Sequence, residues 1–347
     1  MRFWLTLATF TTALGAVSPA FAQGPDSKPI GMLLAAGDIS TCKEDKDEEW
    51  KKYADQTAAL IRDVIKEAEA ANPPIPYRVL ALGDLAYDKG TGDQFKCFAQ
   101  RWTFDDAVML PVPGNHEYLK KKAGQSTDAG PYFDHFASHP VVNQNGSKKG
   151  YFAVNFPRAD GPWHLIGLND NFESASKYKS QMEAQTAWLE KDLADNLQNC
   201  VLAFWHAPPF SFGRHGHDYK TPPNTPLSKE RHMLRTFSLL YGHGASAVLT
   251  GHEHSYEQFR PQNPDGKSVA DGLRLFVIGT GGALLTEDVY DHLEESSEGG
   301  AFGKTRGIQG VLKIMLFETS YKWEFVSIDQ SKKLELKTTS DDCRKRK

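Results

Sequence analysis

Five short apolar runs in this chain each stop at a residue able to bind a metal, and that repetition limits the fold more than any other feature. Met32-Leu33-Leu34-Ala35-Ala36-Gly37 ends in Asp38. Val79-Leu80-Ala81-Leu82-Gly83 ends in Asp84, with Tyr87 three residues on. The run from Val108 to Gly114 ends in Asn115 and His116, and Val201-Leu202-Ala203-Phe204-Trp205 ends in His206. Ala247-Val248-Leu249 leads into Gly251-His252-Glu253-His254. Short apolar runs bounded by Gly or Pro read as buried strands. In open α/β sheets the loops at the carboxyl ends of strands carry the site. His252 and His254, two apart after a strand, project from the same side of the backbone and can serve one centre.

The rest of the chain supplies the covering elements. Residues 48–72 read as a helix with Thr57, Leu60, Ile61, Val64, Ile65 and Ala68 on one face, stopped by Asn72-Pro73-Pro74. Strand, helix and strand over 32–83 make a βαβ unit with parallel strands. Residues 88–104 read as a loop and 118–150 as a long excursion over the surface, rich in Lys, Gly, Ser and Asn. Residues 150–156 and 163–168 suit a hairpin-like strand pair, and 180–197 and 227–241 suit helices. Apolar alternation at 273–278, 311–317 and 322–328 predicts an antiparallel set. The expectation is an α/β fold of two packed sheets with helices outside, in one domain over 23–347.

The first 22 residues read as a secretory signal peptide: Arg2, an apolar stretch to Val17, then Ala20-Phe21-Ala22 before Gln23. The stretch is too short for a membrane span, and no other window approaches one. A secreted or periplasmic protein follows as the expectation. Four cysteines in an exported chain favour disulfides. Cys42 and Cys97 both follow motif-bearing strand ends, so the expected pairs are Cys42–Cys97 and Cys200–Cys343. A net charge of −4 is an ordinary acidic balance and argues against a nucleic-acid-binding surface.

As donors, Asp38, Asp84, Asn115, His206, His252 and His254 form a mixed oxygen and nitrogen set, and Tyr87 adds a phenol. That is too many for one tetrahedral zinc and suits two ions sharing a bridging carboxylate. A neutral ligand such as Asn115 keeps the site positive for an anionic substrate. His116 beside it is free to act as proton donor.

In order, Gly37-Asp38, Gly83-Asp84-x-x-Tyr87, Gly114-Asn115-His116-Glu117, His206 and Gly251-His252-x-His254 resemble the five blocks of the calcineurin-like metallophosphoesterases. The tyrosine three residues after the second aspartate resembles the purple acid phosphatase branch. Most other branches carry Asp-x-His in the first block; here Ser40 stands at that position and Tyr87 looks like the replacement. The resemblance implies two mixed β-sheets flanked by helices, a four-layer sandwich. It implies a first metal, ferric iron, held by Asp38, Tyr87, His254 and bridging Asp84. A second, zinc, manganese or ferrous iron, would be held by Asp84, Asn115, His206 and His252. His215 sits where the family carries a catalytic histidine beside His116. Residues 277–282 match a glycine-rich strand end near the family's active site. The implied activity is acid phosphatase-type hydrolysis of small phosphomonoesters by in-line attack of a metal-bound hydroxide, with no phosphoenzyme. A phosphodiesterase or nucleotidase on the same two-metal site, and an exported binding protein with a dead site, are the alternatives. The sequence leaves the natural substrate and oligomeric state open.

Overall fold

Gly31–Ala36 (β1) is an apolar run with every residue buried, as a strand covered on both faces must be. The computed structural model describes residues 28–41, 48–119, 128–172, 176–196, 200–211, 213, 233–285, 301–302, 308–329, 331 and 340–344. After β1 come β2 (Ser40–Thr41), α1 (Glu48–Ala70), β3 (Tyr77–Leu82), β4 (Ala86–Tyr87), α2 (Gly92–Arg101) and β5 (Met109–Val112). Next are α3 (Gly130–His135), β6 (Phe152–Phe156), β7 (Trp163–Gly167), α4 (Lys179–Asp195), β8 (Cys200–Phe204), α5 (Met233–Gly242) and β9 (Ala247–Thr250). The chain closes with β10 (Tyr256–Phe259), β11 (Arg274–Ile278), β12 (Ala301–Phe302), β13 (Gly310–Leu316), β14 (Ser320–Ser327) and β15 (Ser340–Asp342).

Two large sheets result, in the orders β15-β14-β13-β1-β3-β5 and β12-β10-β11-β9-β8-β7-β6, beside a two-stranded parallel pair β2-β4. In the first, β1, β3 and β5 run parallel, with Leu34 opposite Val79 and Leu80 opposite Leu110. In the second, β7, β8, β9 and β11 run parallel. One buried cluster joins Leu34, Leu80, Phe204, Leu249 and Phe276 from both sheets with α1, α2 and α3. A second, including Val201, Val248, Leu189 and Phe237, lies between the second sheet and helices α4 and α5. This is the expected arrangement of two mixed sheets flanked by helices. The ligand-bearing strands β1, β3 and β5 run parallel to one another, as do β8 and β9, and the bond from the His252 N–H to Asp38 Oδ2 joins the carboxyl ends of the two sets at one rim.

Three expectations need correction. Residues 88–104 are not a loop: Thr91 and Gln94 form a reciprocal capping box and start α2, which buries Phe95 and Phe98. Nor is 118–150 only a surface excursion. Tyr132, Phe133, Phe136 and Val142 enter the core, and α3 forms because its aromatic residues have α2 to pack on. Finally, β11 does not join an antiparallel set with β13 and β14. It pairs parallel with β9 in the other sheet, consistent with a strand buried along its whole length.

Cys200 and Cys343 are bonded, with Cα atoms 5.2 Å apart, and tie the start of β8 to the chain's last described segment. Cys97 is also in a disulfide, and its expected partner Cys42 lies outside the described residues. The expected signal peptide and residues 227–232 of the third expected helix lie outside them too. Among the described residues no helix is long and apolar enough to cross a membrane.

Phe136 is 2% exposed and contacts Phe95, Phe98 and Tyr132. Phe136→Ala is expected to lower unfolding stability by about 3–5 kcal/mol in a denaturant titration. A loss under about 1 kcal/mol would contradict a core role for this segment.

Candidate metal centre

The ligand-bearing turns are held by backbone contacts within each sheet and, at Gly37, between the two sheets. The Asp38 N–H donates to Gly83 O at 3.0 Å and the Ile39 N–H to Asp84 O at 2.9 Å, which set the first two turns side by side. The Gly251 N–H donates to His206 O at 2.8 Å, joining the fourth and fifth. The Gly37 N–H donates to Ile278 O and the Gly281 N–H to Gly37 O, both at 2.9 Å, so the 277–282 strand end abuts the first turn. Asp38, Asp84 and His252 have φ values of 60°, 49° and 69°, the left-handed region disfavoured for residues with a Cβ. Such strain costs on the order of 1 kcal/mol or more per residue and is held where it aims a side chain. Two glycines make room for the same centre. A Cβ at Gly114 would lie 2.2 Å from an Asp84 carboxylate oxygen, and one at Gly83 would lie 2.6 Å from the His206 ring.

Seven side chains converge there. The Tyr87 hydroxyl donates to Asp38 Oδ1 at 2.6 Å, with Asp84 Oδ2 at 2.9 Å and His254 Nε2 at 3.1 Å also within hydrogen-bond distance. On the other flank His206 Nε2 is 3.2 Å from Asp84 Oδ2, 3.0 Å from Asn115 Oδ1 and 3.2 Å from His252 Nδ1. Asp84 Oδ2 belongs to both groups. The donor atoms of Asp84, His206 and His252 lie within 4.8 Å of one another. Asp38, Asp84, Tyr87 and His206 are almost wholly buried, while the His254 and His116 side chains are 19% and 28% exposed.

The donor chemistry fits a cation. His206 Nδ1–H donates to Leu82 O at 2.8 Å, which leaves the Nε2 lone pair facing the centre. His254 is fixed the same way, Nδ1–H to Leu284 O at 2.9 Å. A backbone carbonyl on one ring nitrogen with the other aimed inward is the arrangement that orients a metal-binding imidazole. His206 Nε2 then faces a carboxylate oxygen, an amide oxygen and a second ring nitrogen, and such a cluster of acceptors needs positive charge among them. Burial alone would push the His206 imidazole down, yet the Asp84 carboxylate drives it well above the ordinary histidine range. Burial would raise the Asp84 carboxyl, and the His206 and His116 rings hold it below the usual range instead. Burial, Asp38 and Asp84 push the Tyr87 phenol well above its usual value. Positive charge is thus favoured where these groups meet, and a metal ion would supply it.

His116 stands at the edge of this cluster, its Nε2 3.8 Å from Asp84 Oδ2. Its Nδ1–H donates to Asp88 O at 2.6 Å and its N–H to Asp84 Oδ1 at 2.8 Å. His215 lies outside the described residues. Ser40 is buried beside Asp38, and its hydroxyl has no hydrogen-bond partner.

Glu117 carries a role that its place in the third block did not reveal. Its carboxylate accepts from the N–H groups of Asp84 (3.0 Å), Leu85 (3.0 Å), Ala86 (3.2 Å) and Gly114 (2.7 Å). Burial and the neighbouring Asp84 charge push its carboxyl up to about 8. The four N–H donors fill its lone pairs and leave no acceptor for a carboxyl proton, so the geometry holds an anion. It binds the Asp84 turn to the Asn115 turn. Glu117→Gln sets an amide NH2 against two of those donors. It is expected to cost about 2–3 kcal/mol in unfolding and to weaken metal retention, both read on the purified variant. Unchanged stability and metal content would contradict this role.

Residues 31–256 match the family model described as calcineurin-like phosphoesterase. The chain is 25% identical over 209 residues to human tartrate-resistant acid phosphatase type 5, covering 54% of this chain and 58% of that protein. It is 27% identical over 161 residues to a probable glycerophosphodiester phosphodiesterase of Arcobacter nitrofigilis, covering 46% of this chain and 50% of that protein. The chain thus spans little more than half the length of these relatives. A purple acid phosphatase from yellow lupin seeds superposes with a TM-score of 0.62 at 15% identity, over 91% of this chain and 54% of that one, a likeness of fold alone. With well over half of its residues matched by the family model, this chain belongs to the calcineurin-like phosphoesterase family.

Proposed function

We propose that the chain is an exported two-metal phosphatase of the acid phosphatase type, acting on small phosphomonoesters. In this reading ferric iron is held by Asp38, Tyr87, His254 and Asp84. Zinc, manganese or ferrous iron is held by Asp84, Asn115, His206 and His252. The observation that carries it is Asp84 Oδ2, within hydrogen-bond distance of both the Tyr87 hydroxyl and His206 Nε2. One carboxylate oxygen common to two donor groups suits a bridged pair of ions. Bound there, such ions supply Lewis-acid polarisation of the phosphate and an acidified water.

The chain's own residues do the remainder. Neutral Asn115 limits the negative charge an anionic ester meets. His116 carries its Nδ1 proton toward Asp88 O and turns Nε2 toward the centre. Protonated on both nitrogens, the ring could pass its Nε2 proton to a departing alkoxide while keeping the Nδ1–H bond to Asp88 O, and His215 is proposed as its partner in stabilising the phosphate's charge. Likeness to the human acid phosphatase supports monoester hydrolysis, whereas likeness to the bacterial enzyme supports a diesterase. The assay that separates them compares kcat/KM on an aryl phosphomonoester and its bis-aryl diester. The monoester is expected to be favoured by about tenfold or more. A preference for the diester would replace the reading with a phosphodiesterase, and no metal-dependent hydrolysis of either would leave a binding protein.

A further inference from the structure

α1 reaches the centre through its first turn. Trp50 lies there with its ring centroid 4.7 Å from that of Tyr87, tilted by 56°, and 6.4 Å from that of His254. The His116 ring is 4.4 Å from Tyr87. The Trp50 indole N–H donates to Ile39 O at 3.2 Å, and Ile39 directly follows Asp38. One side chain therefore touches the ring of the phenol and binds the backbone one residue beyond Asp38, whose carboxylate this phenol meets at 2.6 Å.

The helix presenting Trp50 is held in place. The Thr57 hydroxyl donates to Gly281 O at 2.5 Å, and Gly281 N–H in turn donates to Gly37 O beside Asp38. Trp102 donates its indole N–H to the same Thr57 hydroxyl at 3.2 Å. Buried Ala54 sits against Gly282, where an added Cβ would come within 3.0 Å of it. α1 is thus fixed to the strand ends that carry Asp38, and Trp50 with it.

We propose that Trp50 is a positioning residue for the metal centre: its indole holds the Tyr87 ring in its inward rotamer and keeps water from the phenol. This rests on the reading of Tyr87 as a metal ligand. An aromatic face beside Tyr87 limits ring rotation, and the bond to Ile39 O fixes that face relative to Asp38. Side chains behind the ligands that orient them change metal affinity by about 10–100-fold when removed. A metal ion held by Tyr87 would displace the phenol proton to solvent, the phenolate oxygen serving as its ligand.

The test uses the full mature chain with Trp50→Ala, Trp50→Leu, Trp50→Phe and Tyr87→Phe beside the unaltered protein. Each is freed of metal, reloaded with iron(III), and followed by elemental analysis, phenolate-to-iron absorption and thermal unfolding of the metal-free form. Trp50→Ala and Trp50→Leu are expected to bind the iron held by Tyr87 about 10–100-fold more weakly in chelator competition and to shift or broaden its band. Trp50→Phe is expected to restore both. If the unaltered protein shows the band and Tyr87→Phe loses it, the ligand reading stands. Wild-type affinity and an unmoved band in Trp50→Leu would then overturn the proposal for Trp50 alone, and a fall in thermal stability without either change would assign Trp50 to packing. No phenolate band in the iron-loaded unaltered protein would overturn the ligand reading, and the Trp50 proposal with it.

Discussion

The centre depends on a buried negative charge that two sheets share. Asp84 follows β3 in the first sheet, while His206 and His252 follow β8 and β9 in the second. The Asp84–His206 contact at 3.2 Å and the His206–Leu82 bond at 2.8 Å both cross between sheets. So does the bond from the His252 N–H to Asp38 Oδ2 at 2.7 Å. Carboxylates are costly to bury unless opposing charge is near. The left-handed turns at Asp38, Asp84 and His252, and the glycines packed against Asp84 and His206, all bring those opposing groups close. The packed strands hold this strained geometry in place.

Support for that charge cluster extends well beyond the donor atoms. Glu117 binds two turns through four backbone N–H groups, and α1 is held against the 277–282 strand end through Thr57. The three imidazoles at His116, His206 and His254 each have Nδ1 committed to a backbone carbonyl. Their Nε2 atoms are left to face the centre.

What the sequence made legible was whatever a strand's period and its terminal residue encode. The parallel strands and the positions of Asp38, Asp84, Asn115, His206, His252 and His254 follow from apolar runs that stop at polar residues. The helix α2 was readable in principle, because Thr91 and Gln94 spell a capping box. Gly90 and Gly92 beside it argued for a loop, and burial of Phe95 and Phe98 against α3 decides the matter. Tyr132 and Phe136 sit among polar residues that hide their helical spacing. The roles of Glu117 and Trp50 depend on contacts with the 83–86 turn, Tyr87 and Ile39, which a local pattern does not carry. The sheet assignment of β11 was missed for the same reason, since its partner β9 is fixed by packing.

The most direct test of a shared centre is metal stoichiometry across ligand variants, by elemental analysis after gel filtration. If Asp84 joins both groups, Asp84→Ala loses both ions, whereas Asn115→Ala and Asp38→Ala each retain about one, as a shared bridging ligand requires. Retention of two ions by a folded Asp84→Ala protein would contradict the bridged centre and with it the account of why the two sheets meet as they do.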